Sequence, residues 1–272
     1  AYDIQYLVTK DTGRSGGFAE KIEACRACGC TPVIIGRPRK EKGLSVTACR
    51  QQMIDRLGLR PPVKVTLIGI GPGREDAMNE EGIKALQEAD FVIGSGRMLD
   101  CVRGKKPLLD AYCSEEIAGF IDSHRGYERF AVLLSGDTGF YSGAKKLYQA
   151  LTKSDTEDSV QILTGVSSIS YFAARLGTSW DDAVIASNHG RKQALIPLIR
   201  DHEKVFSILG KPEDAAELAQ KLVGYGMAEA KLSVGERLSY VDEKITVGEA
   251  KEFCDFRHDP LSVLLLENPF IA

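Results

Sequence analysis

The chain has 272 residues, of which 43% are hydrophobic and 27% charged, and its formal net charge is -3. This composition is ordinary for a globular protein and excludes a disordered or collagen-like chain. The slightly acidic charge disfavours a nucleic-acid partner, and no apolar run reaches the roughly 20 residues of a membrane span, so no membrane partner is expected. The sequence opens AYDIQYLVTK, without a signal-peptide pattern, and we expect a cytoplasmic protein.

The cysteines do not suggest a disulfide framework or a metal centre. There are seven of them, an odd number, in a chain that is not small. The cluster CRACGC at 25–30 offers three thiols, but no neighbouring histidine or second cysteine pair completes a four-ligand site. We therefore predict no metal ligands.

The first sixty residues predict a β-α-β-α order. Two short apolar runs, 4–8 and 31–36, have the length of strands, and each is followed by a segment with helical spacing of apolar residues, 18–29 and 45–57. The dipeptide Pro61-Pro62 then marks a linker, because the residue before a proline disfavours helix. We therefore expect a small α/β appendage at 1–62.

The pattern restarts at Val63 and predicts two further units. In the first, 63–182, apolar runs alternate with helical patterns, which is typical of a mostly parallel sheet covered by helices. Its predicted strands are 65–70, 91–94, 130–135 and 160–163, and its predicted helices are 75–88, 114–124, 142–153 and 167–176. The second unit, 183–272, contains predicted strands at 205–209, 231–234, 243–247 and 261–266 and a helix at 212–223. The last strands are short and closely spaced, which suggests a mixed sheet.

A glycine-rich turn follows the first strand of the larger unit, in the segment VTLIGIGPG at 65–73. The spacing is not the G-x-G-x-x-G of a dinucleotide-binding turn, and no Gly-Lys-Ser/Thr follows as in a P-loop. Pro72 also lacks the backbone N–H that a phosphate cradle would use. The turn therefore lets a ligand approach the backbone without being built for pyrophosphate; a tight turn with no ligand is the alternative.

Two more loops of this kind follow later strands. In LLSGDTGFYSGAKKL, 133–147, a buried strand runs into Gly136-Asp137, and in TGVSSISYFAARLG, 164–177, Ser167 and Ser168 open a helix. Ligands of open α/β sheets bind at the carboxyl ends of strands. The serines alone are explained by helix capping, but three such loops after successive strands favour one shared site.

These motifs, together with SNHGR at 187–191, VFSILGKPED at 205–214, LSVGERL at 232–238 and PLSVLLLEN at 260–268, resemble the tetrapyrrole (corrin/porphyrin) methylase family over 64–272. The resemblance implies a two-domain α/β methylase fold, with S-adenosyl-L-methionine bound between the domains and two chains in a homodimer. Within the family, the HGR element and the spelling GDTGFYSG are most similar to members that methylate carbon 5 of precorrin-7 or cobalt-precorrin-7 in cobalamin biosynthesis. The sequence does not distinguish the cobalt-containing from the metal-free substrate.

The family motifs carry implied roles onto particular residues of this chain. The implied cofactor contacts are Pro72, Gly136, Asp137, Phe140, Ser167, Ser168, Leu209 and Gly235. The family usually spells the second motif Gly-Gly-Asp-Pro, whereas this chain has Ser135-Gly136-Asp137-Thr138. Candidates for a catalytic base are His189, Asp137 and Tyr112. The implied substrate is a corrin precursor with acetate and propionate arms, for which Arg97 and Arg191 are candidate ligands because arginine binds carboxylates in a bidentate manner.

Residues 6–38 have a resemblance of their own, to the C-terminal part of precorrin-6A reductase. A piece of a reductase–methylase fusion and a natural remnant both account for it.

The alternative functions of the chain are methylation of another position of a corrin precursor, a bifunctional reductase–methylase fragment using NADPH, and a tetrapyrrole carrier without catalysis. Because the chain stops at Ala272, we expect methylation of carbon 5 only, with a separate partner protein responsible for carbon-15 methylation and decarboxylation.

Overall fold

A computed structural model describes residues 4–11, 16–36, 43–74, 77–153, 157–188 and 194–271. Contacts between Cα atoms divide the chain into two compact units, 1–48 and 49–272. Each unit is described by itself below. The boundaries predicted at 62/63 and 182/183 stay sequence predictions.

The first unit contains a two-stranded parallel sheet and one connecting helix. Strand β1 is Tyr6–Lys10, helix α1 is Phe18–Cys28 and strand β2 is Thr31–Ile35. Val8 pairs with Val33 in the parallel register. Helix α1 ends at Gly29, whose φ of 69° closes the helix in the left-handed conformation. Helix α2, Val46–Leu57, crosses the boundary between the units. The predicted β-α-β-α order is therefore observed.

The second unit opens with a five-stranded sheet in which every pairing is parallel. The strands are β3 (Lys64–Gly69), β4 (Phe91–Gly94), β5 (Leu108–Asp110), β6 (Arg129–Leu134) and β7 (Ser159–Leu163), in the spatial order β5-β4-β6-β3-β7. The helices are α3 (Glu80–Glu88), α4 (Ser114–Ser123), α5 (Ala144–Leu151) and α6 (Ser168–Leu176). The mostly parallel sheet predicted for this segment is confirmed.

Alternation along β3 explains why helices cover both faces of this sheet. Leu67 lies in a core cluster with Ile117 of α4 and Leu147 of α5. The next residue, Ile68, points to the other face and packs in a cluster with Leu86 of α3. A strand buried on both faces reads as a continuous apolar run, which is why VTLI was recognisable in the sequence.

A second five-stranded sheet follows, with mixed pairing. Its strands are β8 (Val184–Ser187), β9 (Lys204–Ile208), β10 (Lys231–Glu236), β11 (Lys244–Glu249) and β12 (Ser262–Glu267), in the order β11-β10-β12-β9-β8. Only β8 and β9 pair in parallel; the other pairings are antiparallel. Helices α7 (Leu195–Asp201) and α8 (Asp214–Gly224) cover one face. The mixed sheet predicted from the close strand spacing is confirmed.

Helix α6 connects the two sheets. Its Phe172 is fully buried and lies in one cluster with Phe206 of β9 and Val263 of β12. The rings of Phe172 and Phe206 meet edge to face with their centroids 6.3 Å apart. Apolar burial of this kind is the main stabilising term in folding, so these contacts hold α6, which follows β7 in the chain, against the second sheet.

The start of one helix was predicted wrongly, and two strands and another helix were missed. The helix predicted to begin at 75 begins at Glu80, because the side chain of Asn79 caps it by accepting the N–H of Gly82 at 2.6 Å. Strands β5 and β8 lie in segments where no strand was predicted. Helix α7 was also missed; it has seven residues and contains Pro197. Among the described residues, no helix is both long and apolar enough to cross a membrane.

Candidate functional site

Three glycines bring neighbouring strand ends of the parallel sheet into backbone contact. Gly69 ends β3, and Gly136 and Gly165 follow β6 and β7, the strands on either side of it. A Cβ on Gly69 would lie 2.7 Å from the carbonyl oxygen of Gly136, and a Cβ on Gly165 would lie 2.6 Å from that of Gly69. Side chains are therefore excluded at Gly69 and Gly165, and the ends of β3, β6 and β7 form a floor of bare backbone.

The turns that follow β3 and β6 are joined to each other by two backbone hydrogen bonds. The N–H of Gly71 donates to the carbonyl of Gly136 at 3.2 Å, and the N–H of Gly136 donates to the carbonyl of Gly71 at 3.0 Å. Gly136 has a φ of 68°, and nothing lies within 4 Å of the point where its side chain would begin. The two glycine-containing turns predicted to share a site are thus joined by a pair of hydrogen bonds, and there is open space next to Gly136.

A cavity of about 520 Å³ lies beside these turns and is lined by both sheets of the second unit. Val132, Leu133 and Leu134 of β6 form one wall. Ile208 of β9 and Val263 of β12 face it from the mixed sheet. The lining is mainly apolar with a few polar groups, and the volume is that of a site for a small molecule or cofactor.

Five of the eight residues predicted to contact the cofactor line this cavity. They are Pro72, Gly136, Phe140, Ser168 and Leu209. The structure thus brings together members of the GPG turn, the GD loop, the serine pair and the ILGK segment, although they are spread over more than half of the sequence. Their assignment to a cofactor stays a prediction.

Asp137 and Ser167 do not line the cavity, and each has a local structural partner. The carboxylate of Asp137 accepts the N–H of Gly139 at 2.6 Å, which shapes the loop after β6. The hydroxyl of Ser167 accepts the N–H of Ile169 at 3.1 Å and caps α6, which is the capping role considered for this serine in the sequence analysis. Their observed contacts therefore hold the loops that carry Gly136 and Ser168.

Gly235 is also absent from the cavity lining, for a reason of packing. A Cβ on this glycine of β10 would lie 2.7 Å from the ring of Phe172 and 2.8 Å from Leu238. The glycine therefore lets α6 pack closely on the second sheet. Leu238, three residues later, is the residue of this segment that lines the cavity.

The candidate bases differ in their placement. Tyr112 lines the cavity but is 87% exposed, so this residue lies at the mouth. Asp137 lies in the loop described above. His189 and the candidate substrate ligand Arg191 lie outside the described residues. Arg97, the other candidate substrate ligand, lines the cavity.

The loop between β10 and β11 contributes residues that sequence reasoning missed. Leu238 lines the cavity, and its neighbours Arg237 and Ser239 have φ values of 47° and 70°. Tyr141, another lining residue, has a φ of 48°. These are the three residues other than glycine with positive φ in the described part of the chain, and such strained backbone collects at functional sites. The sequence signal was weak, since LSY between two short strands reads as an ordinary hairpin loop.

Glu243 anchors this loop from within the protein. Its carboxylate accepts the N–H of Ser239 at 2.7 Å and the Arg175 Nε–H at 2.7 Å. Burial alone would raise the pKa of Glu243, but hydrogen bonds from Ser239, Tyr171 and Arg175 outweigh it and hold the pKa below its usual range. Burial, together with the hydrogen bond to Glu243, raises the pKa of the Tyr171 hydroxyl.

Fold and cavity together define an α/β protein with a cavity of small-molecule size between a parallel and a mixed sheet. The family described as Tetrapyrrole (Corrin/Porphyrin) Methylases matches residues 64–254, and the family described as Precorrin-6x reductase CbiJ/CobK matches residues 1–57. The first match covers well over half of the chain. The chain belongs to the tetrapyrrole methylase family and is a methyltransferase.

Individual relatives agree with this placement. A probable cobalt-precorrin-7 C(5)-methyltransferase of Methanocaldococcus jannaschii is 31% identical over 211 residues, which are 75% of this chain and 97% of that protein. A decarboxylating precorrin-6Y C(5,15)-methyltransferase of Sinorhizobium sp is 27% identical over 75% of this chain, and the match spans 49% of that protein's length. The crystal structure of a uroporphyrin-III C-methyltransferase from Thermus thermophilus, complexed with S-adenosylhomocysteine, has a TM-score of 0.61 at 18% identity, with 75% of this chain and 92% of that chain covered.

Proposed function

We propose that this chain transfers a methyl group from S-adenosyl-L-methionine to carbon 5 of precorrin-7 or cobalt-precorrin-7 in corrin biosynthesis. The observation that carries the proposal is the cavity beside the Gly71–Gly136 turns, where residues of the family motifs converge. The Methanocaldococcus relative named for this reaction supports the choice of substrate, since it matches this chain over nearly its whole length.

The residues of the cavity fit a nucleoside cofactor. Gly136 leaves open space where any other residue would place a side chain, so a ligand can approach the backbone of the loop. Phe140 and Leu209 offer apolar surface, and Ser168 offers a hydroxyl. The Thermus relative supports the same assignment, because it was crystallised with S-adenosylhomocysteine.

The chain's own contribution to the reaction is orientation and exclusion of water. S-adenosylmethionine, when bound, supplies a methyl group on a positively charged sulfur that is already a good leaving group. The largely apolar walls from β6 and β12 exclude water from the reacting atoms, and the rigid glycine turns hold a ligand in a fixed place. Of the two described candidates for accepting a proton after transfer, Tyr112 lines the cavity and Asp137 does not.

We further propose that the chain adds one methyl group and leaves every carboxyl group in place, so that a separate protein methylates carbon 15 and decarboxylates. The relative that carries out both reactions is matched over 49% of its length, whereas the relative named for carbon 5 alone is matched over 97%. Two chains in a homodimer are proposed from the family resemblance.

The test is a methyl-transfer assay under anaerobic conditions with precorrin-7 and cobalt-precorrin-7 in parallel. Mass spectrometry of the product should show a gain of one methyl group, with S-adenosylhomocysteine formed in equal amount. A product that has lost carbon dioxide, or gained two methyl groups, would contradict the division of labour. No transfer to either substrate would contradict the proposed function.

A further inference from the structure

Arg97 carries a charge that is not neutralised within the described part of the chain. It lies in the 3₁₀ helix Gly96–Leu99, after β4, and lines the cavity. No carboxylate of the described residues lies within ion-pairing distance of it, whereas Arg103 of the same basic segment pairs with Asp100 at 2.9 Å. A half-buried guanidinium without a counter-ion favours an anionic ligand.

Two neutral hydroxyls hold the guanidinium of Arg97 in place. Its Nη1 donates to the hydroxyl of Tyr240, and its Nη2 donates to the hydroxyl of Ser135 at 3.1 Å. An arginine side chain has five N–H donors, so these two contacts leave donors for a further acceptor. Because both partners are uncharged, they orient Arg97 without consuming its charge.

Tyr240 is itself fixed from several sides. Two guanidinium groups lie close to its ring, with Arg97 Cζ 5.6 Å and Arg237 Cζ 4.8 Å from the ring centroid. Arg237 is neutralised by Asp242 at 2.6 Å, so it supports the ring without competing for an anion. On another side the ring lies against Gly73 of the GPG turn, where a methyl group would overlap it.

The loop that carries Tyr240 is also hydrogen-bonded to the turn that follows β3. The hydroxyl of Ser239 accepts the N–H of Arg74 at 3.2 Å, and Glu243 accepts the N–H of Ser239. The strained φ values of Arg237 and Ser239 are held by these contacts. A residue of the loop between β10 and β11 therefore sets the position of an arginine in the 3₁₀ helix after β4, and that arginine lines the cavity.

We propose that Tyr240 is a positioning residue that holds Arg97 to bind one carboxylate arm of a polyanionic tetrapyrrole at the cavity mouth. This inference rests on the proposed function for the identity of the substrate. It assigns substrate recognition, and not cofactor binding, to the Arg97–Tyr240 pair.

The first experiment compares steady-state kinetics of Arg97→Gln, Arg97→Lys and Tyr240→Phe with those of the wild type. Arg97→Gln should raise KM for precorrin-7 about tenfold or more with kcat within about twofold, since a charge-assisted hydrogen bond is lost. Arg97→Lys should recover part of the loss because the charge is kept. Tyr240→Phe keeps the ring but removes the hydroxyl, and should raise KM several-fold. Calorimetric affinity for S-adenosylhomocysteine should be unchanged in all three.

The second experiment measures binding directly, with uroporphyrin III as an octacarboxylate tetrapyrrole and its uncharged methyl ester as the control ligand. Fluorescence titration should show that the wild type prefers the acid, that Arg97→Gln and Tyr240→Phe weaken acid binding, and that Arg103→Gln does not. Equal binding of acid and ester by the wild type, or unchanged acid binding in Arg97→Gln, would overturn the proposal. Arg97-dependent acid binding in a protein that methylates neither precorrin would instead uphold the pair's role and contradict the proposed function.

Discussion

Arg125 and Asp158 form a bidentate ion pair beneath the linker that leads into the parallel sheet. Nη1 and Nη2 of Arg125 each lie 2.8 Å from a different carboxylate oxygen of Asp158. Nη1 also donates to the carbonyl of Pro61 at 2.8 Å, and the N–H of Val63 donates to Asp158 at 3.0 Å. The pair therefore ties the Pro61–Val63 segment to the start of β7 and the end of α4.

Arg125→Met should lower the free energy of unfolding by about 3 kcal/mol, because the buried Asp158 loses its bidentate partner and keeps the longer contact with Arg60, at 4.0 Å. Arg125 is only 3% exposed, and hydrogen bonding to Asp158 is the main cause that raises the pKa of its guanidinium. The matched control is Arg103→Met, whose ion pair with Asp100 is exposed and should contribute about 0–1 kcal/mol. Denaturant titration measures both; equal losses in the two variants would contradict a special role for the buried pair.

Gly136→Leu should weaken binding of S-adenosylhomocysteine at least about tenfold, because the new side chain would project into the space beside the Gly71–Gly136 turns. Gly177→Leu is the matched control. Gly177 has nearly the same φ, 67°, and open space around it, but it caps the end of α6 and does not line the cavity. Isothermal calorimetry should find its affinity unchanged. If both variants bind like the wild type, the cofactor lies elsewhere.

Glu243→Gln should destabilise the protein by about 1.5 kcal/mol near neutral pH, since hydrogen bonds to a charged carboxylate are lost. The pKa of Glu243 is lowered in the fold, so the carboxylate contributes stability above its unfolded pKa and loses it as the pH falls through the folded value. The difference between variant and wild type should therefore shrink below about pH 4.3. The exposed Glu88→Gln serves as control, and a difference that stays constant from pH 7 to acid conditions would refute the assignment.

Much of the fold was predictable because buried parallel strands leave continuous apolar runs such as the one through Leu67 and Ile68. The start of α3 was missed although Asn79, followed by two glutamates, is a good helix-start signal; the earlier acidic residues obscured it. Strand β5 has three residues and lies at the sheet edge, where few apolar side chains are needed. Such short elements are stabilised by tertiary contacts rather than by their own pattern.

The site was predictable only as a set of loops. The sequence alone does not show that Gly136 leaves space for a ligand whereas Gly235 leaves space for the ring of Phe172. Arg97 and Tyr240 are 143 positions apart, and no local pattern relates them. Their contact depends on how the two sheets face each other, which the sequence alone does not specify.

The full chain should not oxidise NADPH, although residues 1–57 match a reductase family. Dinucleotides bind where neighbouring parallel strands send their connections to opposite sides of a sheet. In the described part of the first unit, β1 and β2 are joined by a single crossover, so no such point exists. NADPH turnover above the enzyme-free rate, followed at its absorbance band with a precorrin present, would contradict this prediction.

A chain that begins at Gly43 should retain methyl transfer, whereas one that begins at Pro61 should be less stable. Gln51 of α2 accepts the N–H of Gly126 at 2.7 Å and donates to the carbonyl of Ser123 at 3.2 Å, and Arg50 pairs with Glu128. The chain that begins at Gly43 keeps these contacts. It also keeps Ser45, whose hydroxyl caps α2 by accepting the N–H of Ala48. Thermal unfolding and methyl-transfer rates measure the two effects; loss of activity in the Gly43 chain would show that the first unit takes part in the reaction.

The most direct test of the central claim is the position of the transferred methyl group. The chain is incubated with cobalt-precorrin-7, and separately with precorrin-7, using S-adenosylmethionine labelled with ¹³C in its methyl group, and the product is analysed by NMR. We predict a single labelled methyl group on carbon 5, with every carboxyl group of the substrate still present in the product. Label at any other ring position, or no labelled product from either substrate, would contradict the account.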